Sequence, residues 1–113
     1  MPGTHVNLVG AAVRTSAEAD EEVVTRSRFF VDYYESAMAQ AGELLNAIEG
    51  GFIAEDHIAG EIGEVLDNRV VGRTAADEIT VYKSLGVSAQ DLAAGVATMR
   101  TATERGIGVD VDW

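Results

Sequence analysis

Three groups of residues in this sequence could do chemistry: two histidines, a run of acids between Glu55 and Glu64, and a serine beside the only lysine. His5 and His57 lie in separate segments without metal-ligand spacing, so they read as ordinary histidines, one near a strand start and one in the first turn of a helix. Glu61 and Glu64 stand one turn apart, with Glu55-Asp56 just before them. Such a pattern could hold a cation, but a solvated acidic helix face is the plainer reading, and no metal site is expected. Ser84 follows Lys83, yet neighbours on a strand point to opposite faces and cannot share a proton, so they do not form a nucleophile and its base. Read alone, Ser84-Leu85-Gly86 is turn chemistry.

The elements that must position these residues belong to one small domain. A chain of 113 residues, 47% hydrophobic and 24% charged, has the composition of a folded protein with room for one core. The net charge of −11 and the single lysine leave no basic stripe for a phosphate backbone, so neither nucleic acid nor an anionic membrane is an expected partner. Without cysteine there is no disulfide framework and no thiolate nucleophile. The start Met1-Pro2-Gly3-Thr4-His5 lacks the basic and apolar runs of a signal peptide, and no stretch approaches the roughly 20 apolar residues of a membrane span. A soluble, cytoplasmic protein is expected.

Strands are expected at His5–Val9, closed by Gly10, at Arg28–Tyr33 and at Asp77–Lys83, each short, β-prone and bounded by turn residues. Between them the sequence predicts a helix over Asp20–Ser27 and another from Tyr34 to Ile48, with Ala37, Ala41, Leu44 and Leu45 on one side. Gly42 weakens the second helix, and Gly50-Gly51 ends it. A third helical stretch opens at Asp56 as N-cap, with Ile58, Ile62, Val65 and Leu66 facing inward. A last helix runs from about Ser88, its N-cap, to Arg105, carries Leu92, Val96, Met99 and Thr103 as an inner stripe, and stops at Gly106. The tail Val109–Trp113 reads as a short strand or extended arm. The alternation implies an α/β fold of about three mainly parallel strands. Phe29 and Phe30 put one ring on each face of such a sheet, and Phe29, Phe30, Val31, Ile79, Val81 and Tyr82 together exceed what so short a chain is expected to cover.

Several segments in order carry a resemblance: Pro2-Gly3-Thr4-His5-Val6-Asn7-Leu8-Val9-Gly10; Arg28-Phe29-Phe30-Val31-Asp32 with Glu35-Ser36-Ala37 and Ala41-Gly42-Glu43-Leu44; Gly60-Glu61-Ile62-Gly63-Glu64-Val65-Leu66; Gly72-Arg73-Thr74; and Asp77 to Gly86 with Gln90-Asp91-Leu92-Ala93. The sequence resembles the C-terminal portion of the ornithine cyclodeaminase and mu-crystallin family. The resemblance implies a partial Rossmann-like fold: residues 1–86 as the second half of a dinucleotide-binding domain, and 87–113 as a final helix and tail that in the family pack on an N-terminal domain. It implies NAD or NADP as cofactor, with Val9, Gly10, Ala11 and Ser84 along it and Leu85 against substrate.

Two positions depart from the family pattern. Ala12 stands where cyclodeaminases have a catalytic aspartate, and a methyl group cannot move a proton. Ser16 stands where they often have a cofactor-contacting lysine. The ketimine-reductase and mu-crystallin branch fits Gly10 to Ala12 better, which points to an ancestor of the imine reductase or amino-acid dehydrogenase type. No strand leads into a G-x-G-x-x-G helix start, so the usual pyrophosphate cradle is missing. The expectations are a truncated or separately encoded member without stand-alone catalysis, half of a split enzyme completed by a partner chain, or an interaction module. The chain is expected to be an obligate homodimer or higher homo-oligomer, most simply a two-fold dimer, because its sheet faces and the Leu92, Val96 and Met99 stripe lack cover.

Overall fold

The computed structural model describes residues 1–111. Its centre is a four-stranded, all-parallel sheet with the spatial order β1-β4-β2-β3, formed by β1 (His5–Leu8), β2 (Ser27–Val31), β3 (Ile58–Glu61) and β4 (Ile79–Lys83). The helices are α1 (Glu21–Thr25), α2 (Tyr34–Gln40), α3 (Gly42–Glu49), α4 (Ile62–Leu66) and α5 (Ser88–Arg105). The parallel α/β architecture expected from the alternating pattern is therefore present.

Side-chain alternation on the central strands divides the burial. Leu8, Phe29, Val31 and Val81 pack with Val24, Ala37, Leu44 and Ala47 into the main core. Phe30 and Thr80 point the other way and line a cavity with Ile62, Val65 and Arg73. Phe29, Val31 and Val81 are fully buried and Phe30 nearly so. The short chain thus covers Phe29, Phe30, Val31 and Val81 itself, contrary to the expectation that its helices would not suffice, while Ile79 and Tyr82 stay half-buried.

The fourth strand corrects the sequence reading. Ile58 was expected on a helix opened by Asp56, but Glu55–His57 make a single 3-10 turn and Ile58–Glu61 then pair in parallel with Phe29–Val31. The run Ile58-Ala59-Gly60-Glu61 has little strand character of its own. Pairing to β2 creates it, with a register shift between Phe29 and Phe30 and with Gly60 at φ +154°. Glu61 and Glu64 are likewise no mere solvated face. They form the capping box of α4, in which Glu64 Oε2 accepts from the Glu61 N–H at 3.1 Å, and Glu61 Oε1 also accepts from the Tyr34 N–H at 2.8 Å.

The expected helix over Tyr34–Ile48 is two helices broken at Ala41, whose ψ is 94°. Gly42 explains the break: a Cβ there would lie 2.1 Å from the Ser16 carbonyl oxygen and 2.8 Å from that of Arg14. The loop from β1 is thus seated on the N-terminus of α3. Smaller corrections follow from the same local competition. β1 ends at Leu8, and β2 stops at Val31, leaving Asp32 and Tyr33 in a turn. α1 covers only Glu21–Thr25, with the Asp20 side chain capping Val23 N. Val87, not Ser88, is the N-cap of α5, without a side-chain cap. Leu66, expected inside, is exposed. Val109–Val111 are in no strand, and Asp112 and Trp113 lie outside the described residues.

α5 stands apart from this packing. None of its residues is buried, and Leu92, Val96 and Met99 are 69%, 60% and 69% exposed. The radius of gyration is 17.1 Å, against about 13 Å for a compact chain of this length, and an exposed 18-residue helix accounts for the difference.

Candidate functional site at the C-terminal ends of the strands

β1 and β4 run side by side in the register His5 to Thr80 through Leu8 to Lys83, so both strands end at one level. The Ser84 N–H donates to the Leu8 carbonyl at 2.9 Å, and the Asp32 N–H donates to that of Lys83 at 3.1 Å. Val9-Gly10-Ala11, Ser84-Leu85-Gly86 and Asp32 are thereby brought to one edge. Ligands of open parallel sheets bind at such an edge.

Each loop is tied down by an acid. Glu18 accepts the Gly10 N–H at 2.8 Å through Oε1 and the Lys83 ammonium at 2.9 Å through Oε2. Lys83 is fully buried and also donates to the Ala11 carbonyl at 2.6 Å. Hydrogen bonding from the Ala11 backbone first, then the Lys83 ammonium and the Gly10 backbone, holds the Glu18 carboxyl down to about 2. A Cβ on Gly10 would lie 2.7 Å from Glu18 Oε1, so the glycine lets this acid approach. Beneath Lys83 lies Glu43, whose Oε1 is 2.9 Å from Nζ as an ion pair by distance, without hydrogen-bond alignment.

The second loop is organised by Asp32. Its Oδ1 accepts the Tyr33 N–H at 2.8 Å, and its Oδ2 accepts the Leu85 N–H at 2.6 Å, the Gly86 N–H at 2.8 Å and the Ser84 hydroxyl at 3.2 Å. Gly86, at φ +89°, supplies the left-handed conformation that turns the chain here.

The structure thus brings together Val9, Gly10, Ala11, Ser84 and Leu85, the positions singled out from the sequence. Lys83 and Ser84 do separate work, one against the acids of the core and the other against Asp32. Ala12 and Ser16 lie exposed in the loop after β1. His57 Nε2 meets the Val24 carbonyl at 2.9 Å and His5 Nδ1 meets Thr80 Oγ1 at 2.8 Å, so each ring has a hydrogen-bond partner within the fold. No group of three or more His, Asp or Glu side chains disposed to hold a metal occurs among the described residues. Sequence reasoning missed Glu18, Glu43 and Asp32 as site-builders. The available signals were a lone lysine at a strand end and an acid closing the strongest strand.

At this end of the sheet the loops place Gly10 and Ala11 beside the half-buried Ser84 hydroxyl, with the polar backbone groups of both loops held by Glu18, Lys83 and Asp32. They do not offer a pyrophosphate a seat. The helix after β1 is five residues long, is capped by Asp20 and has Glu21 and Glu22 in its first turn, so its N-terminus repels phosphate.

The sequence profile of the ornithine cyclodeaminase/mu-crystallin family matches residues 1–106. The chain belongs to this family. Protein SAR DEFICIENT 4 of Arabidopsis thaliana is 40% identical over 91 residues, 80% of this chain and 28% of its own length. The Δ1-pyrroline-2-carboxylate reductase of Thermococcus litoralis, solved with NADH and L-proline, superimposes with a TM-score of 0.85 at 34% identity, over 97% of this chain and 34% of that one. An archaeal alanine dehydrogenase dimer with bound NAD gives 0.79 at 30% identity, over 99% and 35%. The chain therefore spans about a third of the length of these family members, and the part it matches in them has the same Rossmann-like parallel sheet.

Proposed function

We propose that residues 1–86 form the nicotinamide-facing half of a dinucleotide-binding domain descended from an NAD(P)-dependent imine reductase or amino-acid dehydrogenase, and that the chain does not catalyse alone. The observation behind this is the pairing of the Val9–Ala11 and Ser84–Gly86 loops at the ends of β1 and β4, each anchored by an acid. Val9, Gly10, Ala11 and Ser84 would lie along the cofactor, NAD or NADP, with Leu85 toward the substrate. No proton donor stands at Ala12, and the acidic start of α1 cannot hold a pyrophosphate. The solved relatives described with NADH or NAD support the cofactor class.

Calorimetric titration of the chain with NAD(H) and NADP(H) tests this reading. Weak or undetectable binding is expected, and a dissociation constant in the low micromolar range would contradict it. A partner chain carrying the glycine-rich turn would complete the site.

The exposed stripe of α5 favours a second, compatible reading. In it, residues 87–113 form an association element, and Leu92, Val96 and Met99 join two copies into a homodimer or a higher homo-oligomer. The archaeal relative solved as a dimer is in keeping with it.

A further inference from the structure

Ser84 has one hydroxyl proton, and the structure says where it goes. Its Oγ lies 3.2 Å from Asp32 Oδ2. That oxygen already accepts two backbone N–H groups, from Leu85 at 2.6 Å and Gly86 at 2.8 Å, so it acts as an acceptor toward every neighbour. The remaining partner, the hydroxyl, must therefore donate to it. Once the proton is committed, the half-buried Ser84 Oγ has only lone pairs left for a ligand.

We infer that Asp32 is a positioning residue that makes Ser84 an acceptor-only contact, so that this edge selects a ligand group that donates, the carboxamide of a nicotinamide over the carboxylate of its acid analogue. The inference rests on the cofactor reading above and adds the polarity of the contact. An amide N–H facing Ser84 completes a hydrogen bond, whereas a carboxylate there sets two acceptors against each other. The Asp32 carboxylate beneath adds like-charge repulsion to the same choice.

The test uses the mononucleotides, which carry the nicotinamide end and need no full pyrophosphate cradle. The chain is titrated with nicotinamide mononucleotide and with nicotinic acid mononucleotide at millimolar concentration, and the Leu85 and Gly86 amides are followed by NMR. A preference of about tenfold or more for the amide form is expected. Because the acid form also carries more negative charge against a chain of net charge −11, Ser84→Ala is the control: its preference should fall several-fold toward the electrostatic remainder. Asp32→Ala, which removes the acceptor and frees the hydroxyl proton, should also narrow it. Where that variant does not fold, Ser84→Ala carries the decision.

Equal response to the two mononucleotides in the wild-type chain, or a preference unchanged in Ser84→Ala, overturns the polarity while leaving the cofactor face intact. No response to either at millimolar concentration overturns the inference, since no ligand then meets Ser84, while the weak or undetectable dinucleotide binding expected above still stands.

Discussion

The sheet and the last helix carry the same kind of message in sequence and opposite outcomes in structure. Phe29, Val31 and Val81 alternate along strands and are fully buried, whereas Leu92, Val96 and Met99 recur at helical spacing and lie open to solvent. Periodicity states which face of an element is apolar. It does not state that the cover lies in the same chain. In the sheet, the covering helices α1, α2 and α3 lie between the strands in sequence, so packing closes locally. α5 follows the last strand, and among the described residues it buries nothing.

That contrast fixes the order of the expected effects. Phe29→Ala should cost about 3–5 kcal/mol by urea denaturation, while Met99→Ala, exposed in the monomer, should cost less than about 0.5 kcal/mol under dilute conditions. Similar losses at the two positions would erase the distinction. Lys83→Ala should lose about 3–5 kcal/mol, because it leaves Glu43 buried without its ion-pair partner. Changing both at once, Lys83→Met with Glu43→Leu, should recover most of that loss, since no uncompensated charge then remains in the core. A double variant as unstable as the single one would show that Lys83 acts through packing.

Gly42→Ala sharpens the comparison at the boundary between the core and the loop of the site. The added methyl would press on the Ser16 and Arg14 carbonyls, which are backbone and cannot swing aside. A loss of about 1–3 kcal/mol is expected, together with faster amide exchange in residues 9 to 16. A smaller effect is expected from acid. The Glu18 carboxyl is held at about 2, below its ordinary 4.5, so its stabilisation is present above pH 4.5 and is lost as the pH falls toward 2. Glu18→Gln should flatten the acid limb of the stability curve between those values. An unchanged acid slope would mean that Glu18 is not coupled to folding.

Much of this fold could be read from residue order. Aromatic and β-branched runs bounded by turn residues identify three of the four strands, and their alternation with helical stretches implies parallel pairing. β3 escaped because Ile58-Ala59-Gly60-Glu61 takes its form from β2. The break at Ala41 escaped because its cause, the loop carbonyls over Gly42, is 26 or more residues away in sequence. The resemblance pointed to Val9, Gly10, Ala11, Ser84 and Leu85, which the fold brings to one end of the sheet. The groups that hold them did not show, since Asp32 acquires its role from N–H donors more than 50 residues downstream. A carboxylate that caps a distant loop looks, in sequence, like any acid at a strand end.

The contrast between the covered sheet and the open last helix is decided by α5 in solution. At roughly 25 cal/mol per Å2 of apolar surface, joining two such stripes is worth several kcal/mol, a large fraction of a total stability of about 5–15 kcal/mol. Sedimentation equilibrium at micromolar concentration should show the wild-type chain associated, most simply as a two-fold dimer, and Val96→Glu as a monomer whose sheet unfolds at an unchanged urea midpoint when compared under dissociating conditions. A wild-type chain that sediments as a folded monomer throughout would contradict it.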